Sequence, residues 1–140
     1  MSKRRTTTML AFAALLAGCG GGDDFANEPR PATPINVTAV INREQISVSP
    51  PEFGAGPVSF IFANQTQAPQ QVTLETDEIG GDGPGIRQTT RPINPSGTAT
   101  LKVDMREGTY RVSVGGAGIE PAEITVEGVR PSAQNELLQP

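Results

Sequence analysis

From Ile35 onward, apolar and polar side chains alternate in short runs rich in β-branched residues, the period-two pattern of half-buried strands. The runs are Ile35 to Ile41, Gln45 to Ser49, Val58 to Asn64, Gln71 to Thr76, Thr98 to Asp104, Thr109 to Val114 and Ala122 to Gly128. Clusters of Gly, Pro, Asn and Asp separate them and supply the backbone angles of turns. The alternation directs Val37, Ile46, Val48, Val58, Phe60, Phe62, Val72, Leu74, Leu101, Val103, Tyr110, Val112, Val114, Ile124 and Val126 toward one interior. Strands at this density predict an all-β sandwich over residues 35–128, with no internal repeat and no second domain. Residues 129–140 form a C-terminal tail, in which Ser132 to Leu138 is the best candidate for a single helical turn.

The first 34 residues read differently. Lys3, Arg4 and Arg5 precede the uncharged apolar stretch Met9 to Gly18, which is too short to span a bilayer but suits the core of a signal peptide over residues 1–18. Arg4 and Arg5 are adjacent, but the rest of a twin-arginine export signature is missing. Leu16, Ala17 and Gly18 followed by Cys19 resemble the bacterial lipobox. In that motif the thiol becomes a diacylglycerol thioether and cleavage makes the cysteine the mature N-terminus. Two acyl chains give stable attachment where one does not, so Cys19 is expected to anchor the protein to the extracytoplasmic face of the membrane. Residues 19–34 then form a lipidated tether rich in Gly, Pro and charge, with a reach of roughly 20 Å.

Composition narrows the chemistry. Cys19 is the only cysteine and the chain has no histidine, so a lipidated Cys19 leaves the mature domain without a thiol or an imidazole. An exported domain without disulfides must rely on its own core. Loss of Lys3, Arg4 and Arg5 with the leader reduces 11 basic side chains to 8 against 15 acidic ones, a net charge of −7. That balance argues against a nucleic-acid partner and against a basic patch for anionic lipid.

The order of the runs resembles the cupredoxin fold of blue copper proteins. In that family a strand of the pattern seen in Ala55 to Asn64 ends in asparagine, and a ligand histidine follows shortly after. A later strand like Thr98 to Asp104 leads to a Gly-x-Tyr strand, here Gly108-Thr109-Tyr110, whose far end carries the ligand cysteine. The resemblance spans roughly Ile35 to Gly128 and implies a Greek-key β-sandwich of about seven to eight strands. Immunoglobulin-like sandwiches also place a tyrosine at the start of a late strand, where its hydroxyl bonds back to the main chain, and Tyr110 suits that role in either fold.

The metal positions depart from the family. The first histidine falls at Gln70 or Gln71, the cysteine at about Val114, and the following loop to Glu123 holds neither histidine nor methionine. A blue copper site needs a thiolate and two imidazoles, so the resemblance carries the fold without copper and without electron transfer. Met105, the only methionine outside the leader, precedes a turn with no soft partner.

Other chemistry is equally sparse. Nucleophilic catalysis lacks its usual histidine base, and there is no G-x-S-x-G. Gly115 to Gly118 follow a strand as a phosphate loop would, but no helix follows and Glu120 repels anions, so a tight turn is expected. Glu75, Asp77, Glu78 and Asp82 in the segment Glu75 to Gly85 offer oxygen ligands, though their spacing matches no standard calcium loop. Asn36-Val37-Thr38 and Asn64-Gln65-Thr66 match the glycosylation acceptor pattern by chance in a bacterial lipoprotein.

The expectation is a lipid-anchored extracytoplasmic lipoprotein whose cupredoxin-like domain, neither catalytic nor metal-bound, acts as a binding or structural module with no cofactor. Its partners are the membrane, through the lipid, and a protein, glycan or small molecule held by the loops. The alternative is an accessory metal-handling or redox-associated lipoprotein with a weak oxygen-ligand site.

Overall fold

A computed structural model describes residues 31–79, 85–116 and 118–132. Eight strands occur, and no helix among the described residues: β1 (Ile35–Ile41), β2 (Ile46–Ser49), β3 (Glu52–Asn64), β4 (Val72–Ile79), β5 (Arg87–Thr89), β6 (Thr98–Met105), β7 (Gly108–Val114) and β8 (Ala122–Val129). Leu16, Ala17, Gly18, Cys19, Asp82 and all of the proposed tail turn beyond Ser132 lie outside the described residues.

Two sheets share β3. Residues Glu52 to Ala55 pair in parallel with β8, and after a register shift at Gly54/Ala55 the rest of the strand lies between parallel β1 and antiparallel β6. One sheet is therefore β2-β1-β3-β6, and the other is β3-β8-β7-β4-β5. Val58, Phe60 and Phe62 enter the core from β3, opposite Val72 and Leu74 of β4, Tyr110 and Val112 of β7, and Ile124 and Val126 of β8. Phe60 stacks on Phe62 with centroids 5.8 Å apart and meets the edge of Phe53 at 6.3 Å.

The inward set matches the alternation read from sequence, with Val48, Leu101 and Val114 only partly buried against it. Three features differ. The β3 strand begins at Glu52, because Phe53 and Ala55 extend its apolar alternation ahead of Val58. The short strand β5 sits in a stretch without apolar alternation and is held by pairing to β4. Met105, placed by the sequence before a turn, does precede the link to β7 and is in addition fully buried, a core side chain that the alternation did not assign.

The carboxylates Glu75 and Asp77 lie on β4, not in a loop, and face cations. Glu75 is 3.6 Å from Arg87 and Asp77 3.0 Å from Arg111. The registers place Glu123, Arg111, Glu75 and Arg87 side by side on four neighbouring strands, a row of alternating sign. Such pairs each contribute only about 0.2–1 kcal/mol, and they engage Glu75 and Asp77, two of the four carboxylates offered as oxygen ligands.

Two devices fix the crossings between sheets. The two-residue link from β6 to β7 passes from one sheet to the other, and Tyr110 locks it: its hydroxyl donates to the Arg106 carbonyl at 2.8 Å and accepts from the Arg106 N–H at 3.2 Å. Where β3 changes sheets, Arg130 reaches across. Its side chain donates to the carbonyls of Ala55, Pro57 and Thr33, at 3.3, 2.6 and 3.1 Å. Gly54 leaves the room, since a Cβ there would stand 2.5 Å from the Arg130 Cγ and 2.8 Å from the Gly128 carbonyl.

Tyr110→Phe removes both part-buried bonds to Arg106, so urea unfolding is expected to show a loss of about 1–2 kcal/mol. Gly54→Ala is expected to cost more than about 1 kcal/mol in the same assay, through displacement of Arg130 and the Gly128 backbone.

Candidate functional site

The strand directions gather four connections at one end of the sandwich: residues 42–45 after β1, 65–71 between β3 and β4, 90–97 between β5 and β6, and 115–121 between β7 and β8. The chain enters β1 at Ile35, at the other end. The positions where the family resemblance would put a metal all fall within this loop end.

Its centre is Asn64. The period-two alternation of β3 that turns Val58, Phe60 and Phe62 inward also turns Asn64 inward, and it is only 1% exposed. A buried amide must have its donors and acceptor satisfied or cost several kcal/mol. Both Nδ2 hydrogens are used, on the carbonyls of Ala68 and Ile93, each at 2.8 Å. Oδ1 accepts from the Thr66 N–H at 2.9 Å and lies 2.7 Å from the Thr66 hydroxyl, which also approaches the Ala68 carbonyl at 2.8 Å. The main chain of Asn64 meets Gly97 and Ser96 on the facing loop, at 3.0 and 2.8 Å. One side chain therefore ties residues 65–71 to residues 90–97. The Asn64-Gln65-Thr66 acceptor pattern is a structural motif, with its amide nitrogen fully engaged in the interior.

Gln70 and Gln71 extend the network. Gln70 exchanges main-chain bonds with Ile93, at 3.0 and 2.8 Å, and its Nε2 donates to the Thr66 hydroxyl at 3.3 Å. Gln71 donates through Nε2 to the Thr90 carbonyl at 3.0 Å, and its own carbonyl accepts from Gly115 at 3.4 Å. Val114 ends β7 directly opposite Val72 and packs, half-buried, against the core. The ends of β4 and β7 thus come together, with Gln70 and Gln71, either of which the resemblance aligns with the first histidine, beside Val114, aligned with the cysteine.

Beyond Val114 the chain turns through Gly116 and Gly118, with φ of 119° and 107°, values that favour glycine and support a turn in place of a phosphate loop. The turn is pinned to the neighbouring loop: Ile46 donates to the Glu120 carbonyl at 2.9 Å and Glu120 to that of Glu44 at 2.7 Å. Asn42 closes its own loop by accepting from Glu44 and Gln45, each at 2.8 Å. Beside it lies a shallow polar depression of about 490 Å³ lined by Asn42, Arg43, Glu44 and Gln65.

Among the described residues no group of three or more His, Cys, Asp or Glu stands close enough to share a metal ion. Copper chemistry does not fit the donors present: the chain has no histidine, and its single cysteine is remote in sequence from these loops. Sequence reasoning missed Ile93 and Thr90, which lie in a stretch without strand alternation and join the site through non-local bonds, Ile93 to Gln70 and the Asn64 side chain and Thr90 to Gln71 and Val72.

Asn64→Ala is expected to lower unfolding stability by roughly 3 kcal/mol, since it removes several buried hydrogen bonds at once and strands their partners. Gln71→Ala, which loses one half-buried bond, is expected to cost about 1 kcal/mol or less.

Comparison with known proteins bears on the fold. No protein-family model matches the chain, and no curated protein does. Among solved structures, reduced rusticyanin superposes with a TM-score of 0.52 at 16% identity over 70% of this chain and 82% of that one. Auracyanin A, a "blue" copper protein from Chloroflexus aurantiacus, gives 0.51 at 15% identity over 68% and 100%. Auracyanin B gives 0.51 at 17% identity over 71% and 92%. With its two sheets joined through β3 and its loops gathered at one end, this chain has a cupredoxin-like fold, with no copper-ligand group among the described residues.

Proposed function

We propose that this protein is a membrane-tethered extracytoplasmic lipoprotein whose cupredoxin-like domain binds a partner, most simply another protein, through the loop end of the sandwich and carries out no catalysis. The observation that carries this reading is the Asn64 network. The amides of Asn64, Gln70 and Gln71 are bonded to main-chain carbonyls and to Thr66, which holds the loops above them in place and leaves no reactive group among them. A loop end of that kind is suited to recognition, because its loops are already ordered and lose little entropy on contact. The leader and Cys19 support attachment to the membrane, and entry of the tether opposite the loops leaves the loop end free.

Titration of the purified protein with Cu(II) and Cu(I), followed by visible absorption and calorimetry, is expected to give only weak, exchangeable binding with no intense sulfur-to-copper band. A stoichiometric site that survives dialysis would replace this reading with a metal-handling one. For the anchor, Cys19→Ala is expected to move the protein to the aqueous phase in detergent partitioning or leave its leader uncleaved. Membrane retention of the mutant with its leader removed would refute the lipid attachment.

A further inference from the structure

The longest strand edge without a neighbour belongs to β6. Among the described residues it pairs with β3 alone, and no loop main chain bonds to it. Exposed edges are templates for another strand, and proteins commonly block them with proline, bulges or inward charges. Within Thr98–Met105 there is no proline, no glycine and no bulge, and the inward positions Ala99, Leu101, Val103 and Met105 are all apolar.

The hydrogen-bonding phase of this edge follows from the bonds of β3. In a strand, the N–H and C=O of one residue point to the same side, and consecutive residues alternate. Asn64 bonds to Ser96 and Gly97, on the β6 side, whereas Gln65 bonds to Ile41 on the β1 side. Even-numbered residues of β3 therefore face β6, and the register Val58↔Val103, Phe60↔Leu101 assigns them odd-numbered partners. The main-chain groups of Thr98, Thr100, Lys102 and Asp104 are left pointing to the open edge.

We infer that β6 pairs antiparallel with β6 of a second copy of this chain about a two-fold axis at Val103. In that register residues 101–105 of the two copies face each other and Lys102 stands opposite Asp104, a pair that the symmetry makes occur twice. Both residues belong to the even-numbered set, so each pair also exchanges main-chain bonds. The adjacent registers that keep the bonding phase set Lys102 against Lys102 or Asp104 against Asp104, which like-charge repulsion disfavours. Lys102 and Asp104 are exposed, and with Pro34, Pro57, Val58, Ser59 and Val103 they line a largely apolar groove of about 290 Å³ beside the axis. The edge's own charge pattern is thus complementary to itself, and that selects a second copy over an unrelated strand. Pairing joins the two four-stranded sheets into one.

Cysteine cross-linking of the full chain in its own membranes tests the register. In a hydrogen-bonded antiparallel pair the opposed Cα atoms are about 5.5 Å apart, within disulfide range, while diagonal neighbours stand about 7–8 Å apart. Co-expression of a Lys102→Cys chain with an Asp104→Cys chain, under mild oxidation, is expected to give a covalent dimer. Lys102→Cys alone, and the chain with no added cysteine, should give roughly tenfold less or none. Asp104→Lys should reduce the dimer about tenfold, read by sedimentation of the detergent-solubilised chain, and Lys102→Asp with Asp104→Lys should restore it. Equal cross-linking by Lys102→Cys alone, an adduct of another mass, or no dimer from correctly folded chains would overturn the inference.

Discussion

One strand has to serve two sheets. The β3 strand bonds to β8 through its first residues and to β1 and β6 through the rest, so its course fixes how the two sheets are set against each other. The change of sheet demands a register shift, close approach of Arg130, and glycine at position 54 to admit it. Once that bend is set, the alternation of the strand turns Val58, Phe60, Phe62 and finally Asn64 inward. The core and the loop end are thus consequences of the same strand, one apolar and one polar.

The polar end of the sandwich is held together by its own hydrogen bonds. In a blue copper site the metal ties together ligands from separate loops. Here the Asn64 amide joins residues 65–71 to residues 90–97, with both of its hydrogens donated and its oxygen accepting from the Thr66 N–H. Gln70 and Gln71 add bonds of their own, and Val114 contributes apolar packing.

Much of the fold was legible because its cause is local. The alternation of Val58, Phe60 and Phe62, the glycine-bounded strand around Tyr110 and the runs ending at Ile124 and Val126 each specify a strand and an inward face. The tyrosine corner was readable from position alone, and the bonds from Tyr110 to Arg106 agree with it. The parity that turns Phe62 inward also applies to Asn64, so its burial was readable too, although the sequence reading used it only as the end of a motif. Ile93, Thr90 and β5 were not readable, because non-local pairing holds them and their own residues show no period. Glu75 and Asp77 read as loop carboxylates since the glycines after Ile79 dominate the segment, whereas cross-strand cations keep both on β4.

The account rests on the loop end being held by its own hydrogen bonds. Amide hydrogen exchange on the metal-free protein measures this at the groups concerned: the N–H of Thr66, which bonds to the Asn64 side chain, those of Gln70 and Ile93, which bond to each other, and that of Ser96, which bonds to the Asn64 carbonyl. The account predicts protection of these amides within about tenfold of the strand amides of Phe60 and Val112, unchanged by chelator or by added copper. Rapid exchange at these four positions in the metal-free protein, with protection appearing only when copper is added, would contradict it.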